Sequence, residues 1–202
     1  MSQKLLIATH NQGKVREYRA LLADLPLEIT YLDAEGVAFE AEETGQTFAE
    51  NAVLKALAYA NHTGLLTWAD DSGLEVDALG GAPGVLSARY GAPVAGSDVA
   101  RYRLLLDRLA GVADPGQRSA RFRCVVAIAW PGGPVLTAEG ACEGRIALAP
   151  LGQHGFGYDP VFLVADGGYL QTMAELDPAR KNQISHRGQA AAAAKAALAQ
   201  AL

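Results

Sequence analysis

Two adjacent aspartates, Asp70 and Asp71, stand directly after an apolar, strand-like run, Leu65-Leu66-Thr67-Trp68. Ser72-Gly73-Leu74 follows them and reads as a Gly-bounded turn. Asp is poor strand material, and neighbouring carboxylates repel each other. A fold that places such a pair at a strand end has to bring positive charge to it, and a divalent cation is the usual candidate. Alone, the segment reads more readily as an ordinary solvated turn, because Asp, Ser and Gly are common turn residues.

The surrounding chain limits what can hold this turn. Its 202 residues are half apolar, enough for one sizeable domain or two tightly joined lobes. No apolar run approaches membrane-spanning length, so no membrane partner is expected. The first residues, Met1-Ser2-Gln3-Lys4-Leu5-Leu6-Ile7, enter a strand-like run without the features of a signal peptide. A cytoplasmic location is therefore expected. Cys124 and Cys142 have neither metal-ligand spacing nor a neighbouring His, and read as buried thiols in a reducing compartment. The net charge of −5 argues against nucleic acid as a partner.

Helical and alternating patterns order the chain. Strands are expected over Lys4–Thr9, Glu28–Leu32 and Leu65–Ala69, with a helix over Gly13–Asp24. Thr47 and Glu50 have capping-box spacing and open a helix over Phe48–His62. Ser97 caps a helix whose inner face is Val99, Tyr102, Leu106 and Leu109. Arg121–Trp130 is strand-like, with Phe122, Cys124, Val126, Ile128 and Trp130 on one face. A turn at Pro131-Gly132-Gly133-Pro134 leads to a strand over Val135–Ile146. A Gly-rich loop, Gly152–Gly157, precedes Val161–Val164, and an Ala-rich helix starts near Ser185. The pattern predicts one mixed α/β domain over residues 1–202, its sheet extending into a second lobe.

Four further segments carry polar chemistry. Thr9-His10-Asn11-Gln12-Gly13-Lys14 joins the first strand to the first helix, where a helix N-terminus and a Lys suit a phosphate. It is not a Walker A loop, since Ala8 and Val15 occupy positions that loop requires as Gly and Ser or Thr. It reads equally as an ordinary strand-to-helix turn. Glu42 and Glu43 lie in an acidic loop, and Asn51 and Lys55 share a face of the next helix. Phe156-Gly157-Tyr158-Asp159-Pro160 places an aromatic where it can stack on a base or plug its own loop. Arg180-Lys181-Asn182 and Ser185-His186-Arg187-Gly188 concentrate cationic groups before the last helix.

These segments, with Glu42-Glu43-Thr44-Gly45, Thr47-Phe48, Glu50-Asn51-Ala52, Gly81-Ala82-Pro83-Gly84 and Ser87-Ala88-Arg89-Tyr90, occur in order over nearly the whole chain. Together they resemble the Ham1/RdgB family of inosine/xanthosine triphosphate pyrophosphatases. The resemblance implies a long mixed β-sheet flanked by helices, two lobes with a central cleft, a homodimer, and magnesium as cofactor. It implies hydrolysis of ITP, dITP and XTP to the monophosphate and pyrophosphate. By resemblance, Glu42 and Asp71 hold the metal with Asp70 close by, and Asp71 activates water. Thr9, His10, Asn11, Gln12, Gly13 and Lys14 would cradle the phosphates, with Ser72 and Lys55 adding contacts. Phe156 would stack on the base, with Gly157, Tyr158 and Asp159 shaping its pocket. Lys181, His186 and Arg187 would lie around the purine edge, Arg187 donating to a 6-keto oxygen. A Maf-like pyrophosphatase acting on pyrimidine or modified nucleotides and a non-catalytic nucleotide sensor are the alternative readings.

Overall fold

A computed structural model describes residues 3–201. Met1, Ser2 and Leu202, the outermost residues of the expected domain and of its last helix, lie outside the described residues. The chain forms two compact units. One comprises Met1–Asp71, Cys124–Gly140 and Arg187–Leu202, and the other Ser72–Arg123 and Ala141–His186.

The first unit begins with β1 (Lys4–Ile7), α1 (Gln12–Leu21) and β2 (Glu28–Tyr31). It continues through α2 (Phe48–Thr63) into β3 (Leu66–Val76), whose second half belongs to the other unit. β1 pairs in parallel with both β2 and β3, with Leu5 opposite Leu66 and Ile7 opposite Trp68. β4 (Ser119–Ala129) and β5 (Val135–Ile146) also run from one unit into the other. β6 (Phe162–Val164) pairs antiparallel with the end of β5. The sheet order is β2-β1-β3-β4-β5-β6, mixed as expected. α3 (Asp98–Arg108) and α4 (Pro178–Ile184) lie in the second unit, and α5 (His186–Ala201) returns the chain to the first.

The core of the first unit joins Leu5, Ile7, Tyr18, Leu22, Trp68, Cys124, Val126 and Ile128 to one side of α5. That side is Ala190, Ala191, Ala194 and Leu198, all buried. Small alanines let a helix backbone approach the sheet closely. The core of the second unit gathers Leu74, Val76, Leu105, Leu109, Phe122, Tyr158 and Phe162.

Local signals place several elements well. The expected box at Thr47 forms: its side chain accepts from Glu50 N–H while Glu50 reaches back to the Thr47 amide. Ser97 caps α3 as expected, accepting from Ala100 N–H. Three expectations are corrected. In α3, Tyr102, Leu106 and, just past its end, Leu109 pack against the core as expected, but Val99 is exposed and Leu105 is the fully buried residue of the helix. In β4 the expected set Cys124-Val126-Ile128 is buried, and so is the opposite set Val125-Ala127-Ala129; what is corrected is the strand's end. Trp130 falls just past its end.

The third correction bears on function. Asp70-Asp71-Ser72-Gly73 is not a turn at all. It is the middle of β3, an 11-residue strand that runs on to Val76.

Candidate active site

Parallel pairing of β1 and β3 sets the geometry of the acidic pair. Both strands point the same way, and the Ala8 amide donates to Trp68 O at 2.8 Å, carrying the pairing past the end of β1. The loop after β1 and the aspartates in the middle of β3 are therefore neighbours, beyond the carboxyl end of β1, where α/β sheets bind ligands. Within a strand, successive side chains point to opposite faces. Asp70 and Asp71 diverge accordingly, and each carboxylate has its own set of partners.

Asp70 is buried among cations. Lys14 Nζ donates to Asp70 Oδ1 at 3.0 Å and lies 2.9 Å from Oδ2. Arg187 Nη2 lies 3.6 Å from Oδ2, and Arg187 Nη1 donates to Glu17 at 2.7 Å. Cys124 Sγ donates to Oδ2 at 3.8 Å. Burial alone would raise the Asp70 carboxyl, but Lys14, Arg187 and Lys55 hold it well below the usual carboxylate range. The same burial pushes the Cys124 thiol up to about 12, so it stays a protonated donor.

Asp71 is held from α2. Asn51 Nδ2 donates to Oδ2 at 3.1 Å and Lys55 Nζ to Oδ1 at 3.4 Å. Lys55 sits closer to Glu43, at 2.8 Å. It therefore divides its charge and compensates Asp71 incompletely. Burial pushes the Asp71 carboxyl above its ordinary value, with Glu43 adding to the rise and Lys55 and Lys14 opposing it. Burial also works against the charge on Lys55, but Asp71, Asp70 and Glu43 outweigh it and raise its pKa. Adjacent carboxylates whose pKa values are driven apart divide labour: one stays a fixed anion, the other is tuned toward accepting a proton.

The acidic loop is pinned to the same place. Gly45 N–H donates to Asn51 Oδ1 at 2.8 Å, so Asn51 bridges the loop and Asp71. A Cβ at residue 45 would stand 2.7 Å from that oxygen, which leaves room only for glycine. Of the two glutamates, Glu43 is the one that reaches Lys55, while Glu42 is exposed.

In the loop after β1, Asn11 caps α1, its side chain accepting from the amides of Gly13 and Lys14 at 2.8 and 3.2 Å. Those two amides, expected to face phosphate, are thus engaged by Asn11. Thr9 Oγ1 accepts from the Asn11 amide at 3.1 Å. His10 Nδ1 lies 2.5 Å from Asp33 Oδ1, and Gln12 Nε2 donates to Asp33 Oδ2 at 2.8 Å. Ser72 is half-buried in β3, directly after Asp71.

In the second unit, the expected base-binding residues form another cluster. Lys181 Nζ, from α4, donates to Asp159 Oδ2 at 2.6 Å. The same oxygen accepts from the Phe156 amide at 2.9 Å. Lys181 Nζ lies 4.9 Å from the centre of the Phe156 ring, within cation–π range. Phe156 is half-buried. Gly155 has φ +78°, and a Cβ there would collide with Asp159. Tyr158 is buried and donates to Ser87 O at 2.9 Å, which anchors the loop from beneath. His186 is buried and stacks on Phe122, with ring centroids 4.6 Å apart. Arg187 belongs to the first unit, with Asp70 and Glu17 as its partners.

The partners that sequence reasoning missed are Glu17, Asp33 and Cys124. Glu17 alone had a local signal, standing three residues after Lys14 on one face of α1.

Among the described residues, no group of three or more His, Cys, Asp or Glu side chains forms a ready-made metal cage. A hard cation that takes one or two carboxylates and fills its shell with water and phosphate oxygens fits the donors present, Asp71 with a glutamate of the acidic loop. Asp70 lies beside this pair, with Lys14 and Arg187 as the partners of its carboxylate.

The Ham1 family model matches residues 5–197, from β1 into α5. The chain belongs to the Ham1 family. Every expected site residue, from Thr9 to Arg187, lies within the matched span. The chain is 52% identical to the dITP/XTP pyrophosphatase of Bacillus licheniformis over 93% of its own length and 94% of that protein. It is 47% identical to the dITP/XTP pyrophosphatase of Bacillus subtilis over 93% of each. Among solved structures, the HAM1 protein of Coxiella burnetii superposes with a TM-score of 0.86 at 42% identity, covering 98% of this chain and 99% of that one. The Staphylococcus aureus Ham1 protein superposes at 0.84, with 38% identity over 99% and 100%. These Ham1 proteins share the mixed α/β fold of this chain.

Proposed function

We propose that this protein hydrolyses deaminated purine nucleoside triphosphates, dITP, ITP and XTP, to the monophosphate and pyrophosphate. The observation that carries the reading is the divided pair on β3: Asp70 fixed as an anion by Lys14 and Arg187, Asp71 raised toward proton-accepting character. A protein that merely held a triphosphate would have no use for a second, tuned carboxylate. The names of relatives about 50% identical over more than 90% of the chain support the same chemistry.

In this reading Asp71 accepts the proton of the water that attacks the α-phosphorus, a step in which a positioned base typically contributes about 10²–10⁴-fold. Asn51 and Lys55 orient its two oxygens. Lys14, anchored by Asp70, and Lys55 supply fixed positive charge for a leaving pyrophosphate, where stabilisation is chiefly electrostatic. Glu42 and Asp71 would hold a divalent cation, magnesium in this reading, which when bound polarises the phosphates and acidifies water. Thr9 to Lys14 and Ser72 are assigned to the phosphates, and Phe156 to stacking on the base with Tyr158 and Asp159 supporting its loop. Lys181, His186 and Arg187 are assigned to purine recognition. For Arg187 this has to coexist with its ion pairs to Asp70 and Glu17.

The family match runs without a break across both units, which supports treating them as one functional domain. No described helix is long and apolar enough to cross a membrane. A cytoplasmic homodimer completes the reading, and light scattering on the purified protein tests the dimer.

Replacing Phe156 by Ala is expected to raise KM for dITP by about tenfold, since base stacking on an aromatic is worth roughly 1–3 kcal/mol. An unchanged KM would reduce the ring to a plug for its loop. The function itself is tested by offering each common and deaminated triphosphate with Mg²⁺. Turnover of dITP and XTP to equal amounts of monophosphate and pyrophosphate is expected. Preference for a pyrimidine substrate would favour the Maf-like reading, and binding without turnover the sensor.

A further inference from the structure

We propose that Asp98 is a positioning residue for the Phe156 loop and sets how tightly the protein holds the purine ring. The proposal rests on the assignment of Phe156 as the base-stacking ring. It adds a residue from a distant helix that no sequence motif marks.

Asp98 is the first residue of α3, directly after the Ser97 cap. Its Oδ2 accepts from the Gly157 amide at 2.7 Å across 59 residues of chain. Its other oxygen is held by the guanidinium of Arg101, one turn further along α3. The carboxylate is thus oriented before it meets the loop, and its hydrogen bond to an amide is of the stronger, charge-assisted kind.

The location of that bond gives it its consequence. Gly157 has φ +63°, so the chain turns through the left-handed region immediately after Phe156. The Phe156 amide is held by Asp159, which is itself held by Lys181. The Gly157 amide is held by Asp98. Two successive peptide groups, one on each side of the Phe156 Cα, are therefore tied to two carboxylates from different elements. The backbone is then fixed on both sides of Phe156, which limits where its ring can lie. Loss of either tie lets the ring wander, and ordering it again on binding costs affinity.

The helix that carries Asp98 is itself anchored. Arg118, buried, donates to Leu109 O just past the end of α3 and to Ile146 O at the end of β5, at 2.9 and 2.8 Å. The Asp98 side chain is 43% exposed. Its removal should therefore loosen one loop rather than unfold the unit.

The test compares Asp98→Ala, Asp98→Asn and Phe156→Ala in steady-state hydrolysis of dITP, with inorganic tripolyphosphate as a competitive inhibitor that lacks a base. Asp98→Ala is expected to raise KM for dITP about tenfold, the worth of one charge-assisted hydrogen bond, with kcat held within about twofold. Tripolyphosphate should inhibit it as it inhibits the parent. Asp98→Asn, whose amide oxygen still accepts from Gly157 N–H, should keep KM near the parent value. Adding Asp98→Ala to Phe156→Ala should change KM little further, because both act through one ring. A parental KM in Asp98→Ala beside a raised KM in Phe156→Ala overturns the role of Asp98 and leaves stacking intact. Weakening of tripolyphosphate inhibition in step with KM also overturns it, since the damage is then general. A parental KM in Phe156→Ala removes the stacking assignment itself.

Discussion

Asp71→Asn is expected to fold at least as stably as the parent and to lose about 10²–10⁴-fold in kcat for dITP. The two halves of this expectation come from one fact. Folding holds the Asp71 carboxyl above its ordinary value, so the folded state disfavours its charge. A group with that sign costs stability at every pH above its folded value, and a neutral amide of the same shape removes the cost. The Asn can still accept from Asn51 or Lys55, and Lys55 keeps its shorter contact with Glu43. What the amide cannot do is take a proton from water. Turnover and melting temperature of the purified variant check both halves. Near-parental turnover would remove Asp71 from the chemistry, and a large fall in melting temperature would contradict the direction of its shift.

Asp70→Asn, one residue earlier, is expected to behave in the opposite way. Here the folded value lies below the ordinary range, so the carboxylate stabilises the fold above its unfolded pKa near 3.9. That contribution is lost as the pH falls through the folded value. Removing the anion takes the carboxylate away from Lys14 and one of its ion pairs from Arg187, which keeps its pair with Glu17. Breaking a buried pair in this way costs about 3–5 kcal/mol. For a chain of this size that lowers the melting temperature by roughly 6–20 °C at neutral pH. The difference between parent and variant should shrink as the solution is acidified, because the parent then loses the same charge. A thermal-melt series across pH reads both effects. Equal melting temperatures at neutral pH would show that Asp70 is not the anchor described above.

These two residues also show where sequence reasoning ends. An isolated reading of Asp70-Asp71-Ser72-Gly73 gives a turn, because no Lys or Arg lies within ten residues of the pair. The structure makes it mid-strand because Lys14, Lys55 and Arg187 converge there, from residues 56, 16 and 117 positions away. Convergence of that kind has no local spacing to read. Elements whose causes are local were legible: the Thr47–Glu50 box starts α2 at Phe48, and β5 spans Val135–Ile146 as its pattern indicates. Face assignments fared less well. The period in α3 turns Tyr102, Leu106 and Leu109 toward the core, as found, but it also turns Val99 inward and passes over Leu105, because the sequence does not say where the sheet lies. α4 is seven residues long, too short for a periodicity, and went unrecognised although it carries Lys181.

Within the site, the residue types were legible and their pairings were not. Asn51 and Lys55 share a helix face by spacing alone, but that this face meets Asp71 depends on how α2 lies against β3. His10 and Gln12 were read as phosphate ligands, and in the structure both side chains meet Asp33. Asp98 had no signal, since its partner is a backbone amide in a distant loop.

The central claim is that water attacks the α-phosphorus of a deaminated purine triphosphate. Hydrolysis of dITP in water enriched in the heavy oxygen isotope tests it most directly. The account predicts that the label enters deoxyinosine monophosphate and that the released pyrophosphate is unlabelled. Label in the pyrophosphate, or release of labelled orthophosphate, would contradict it.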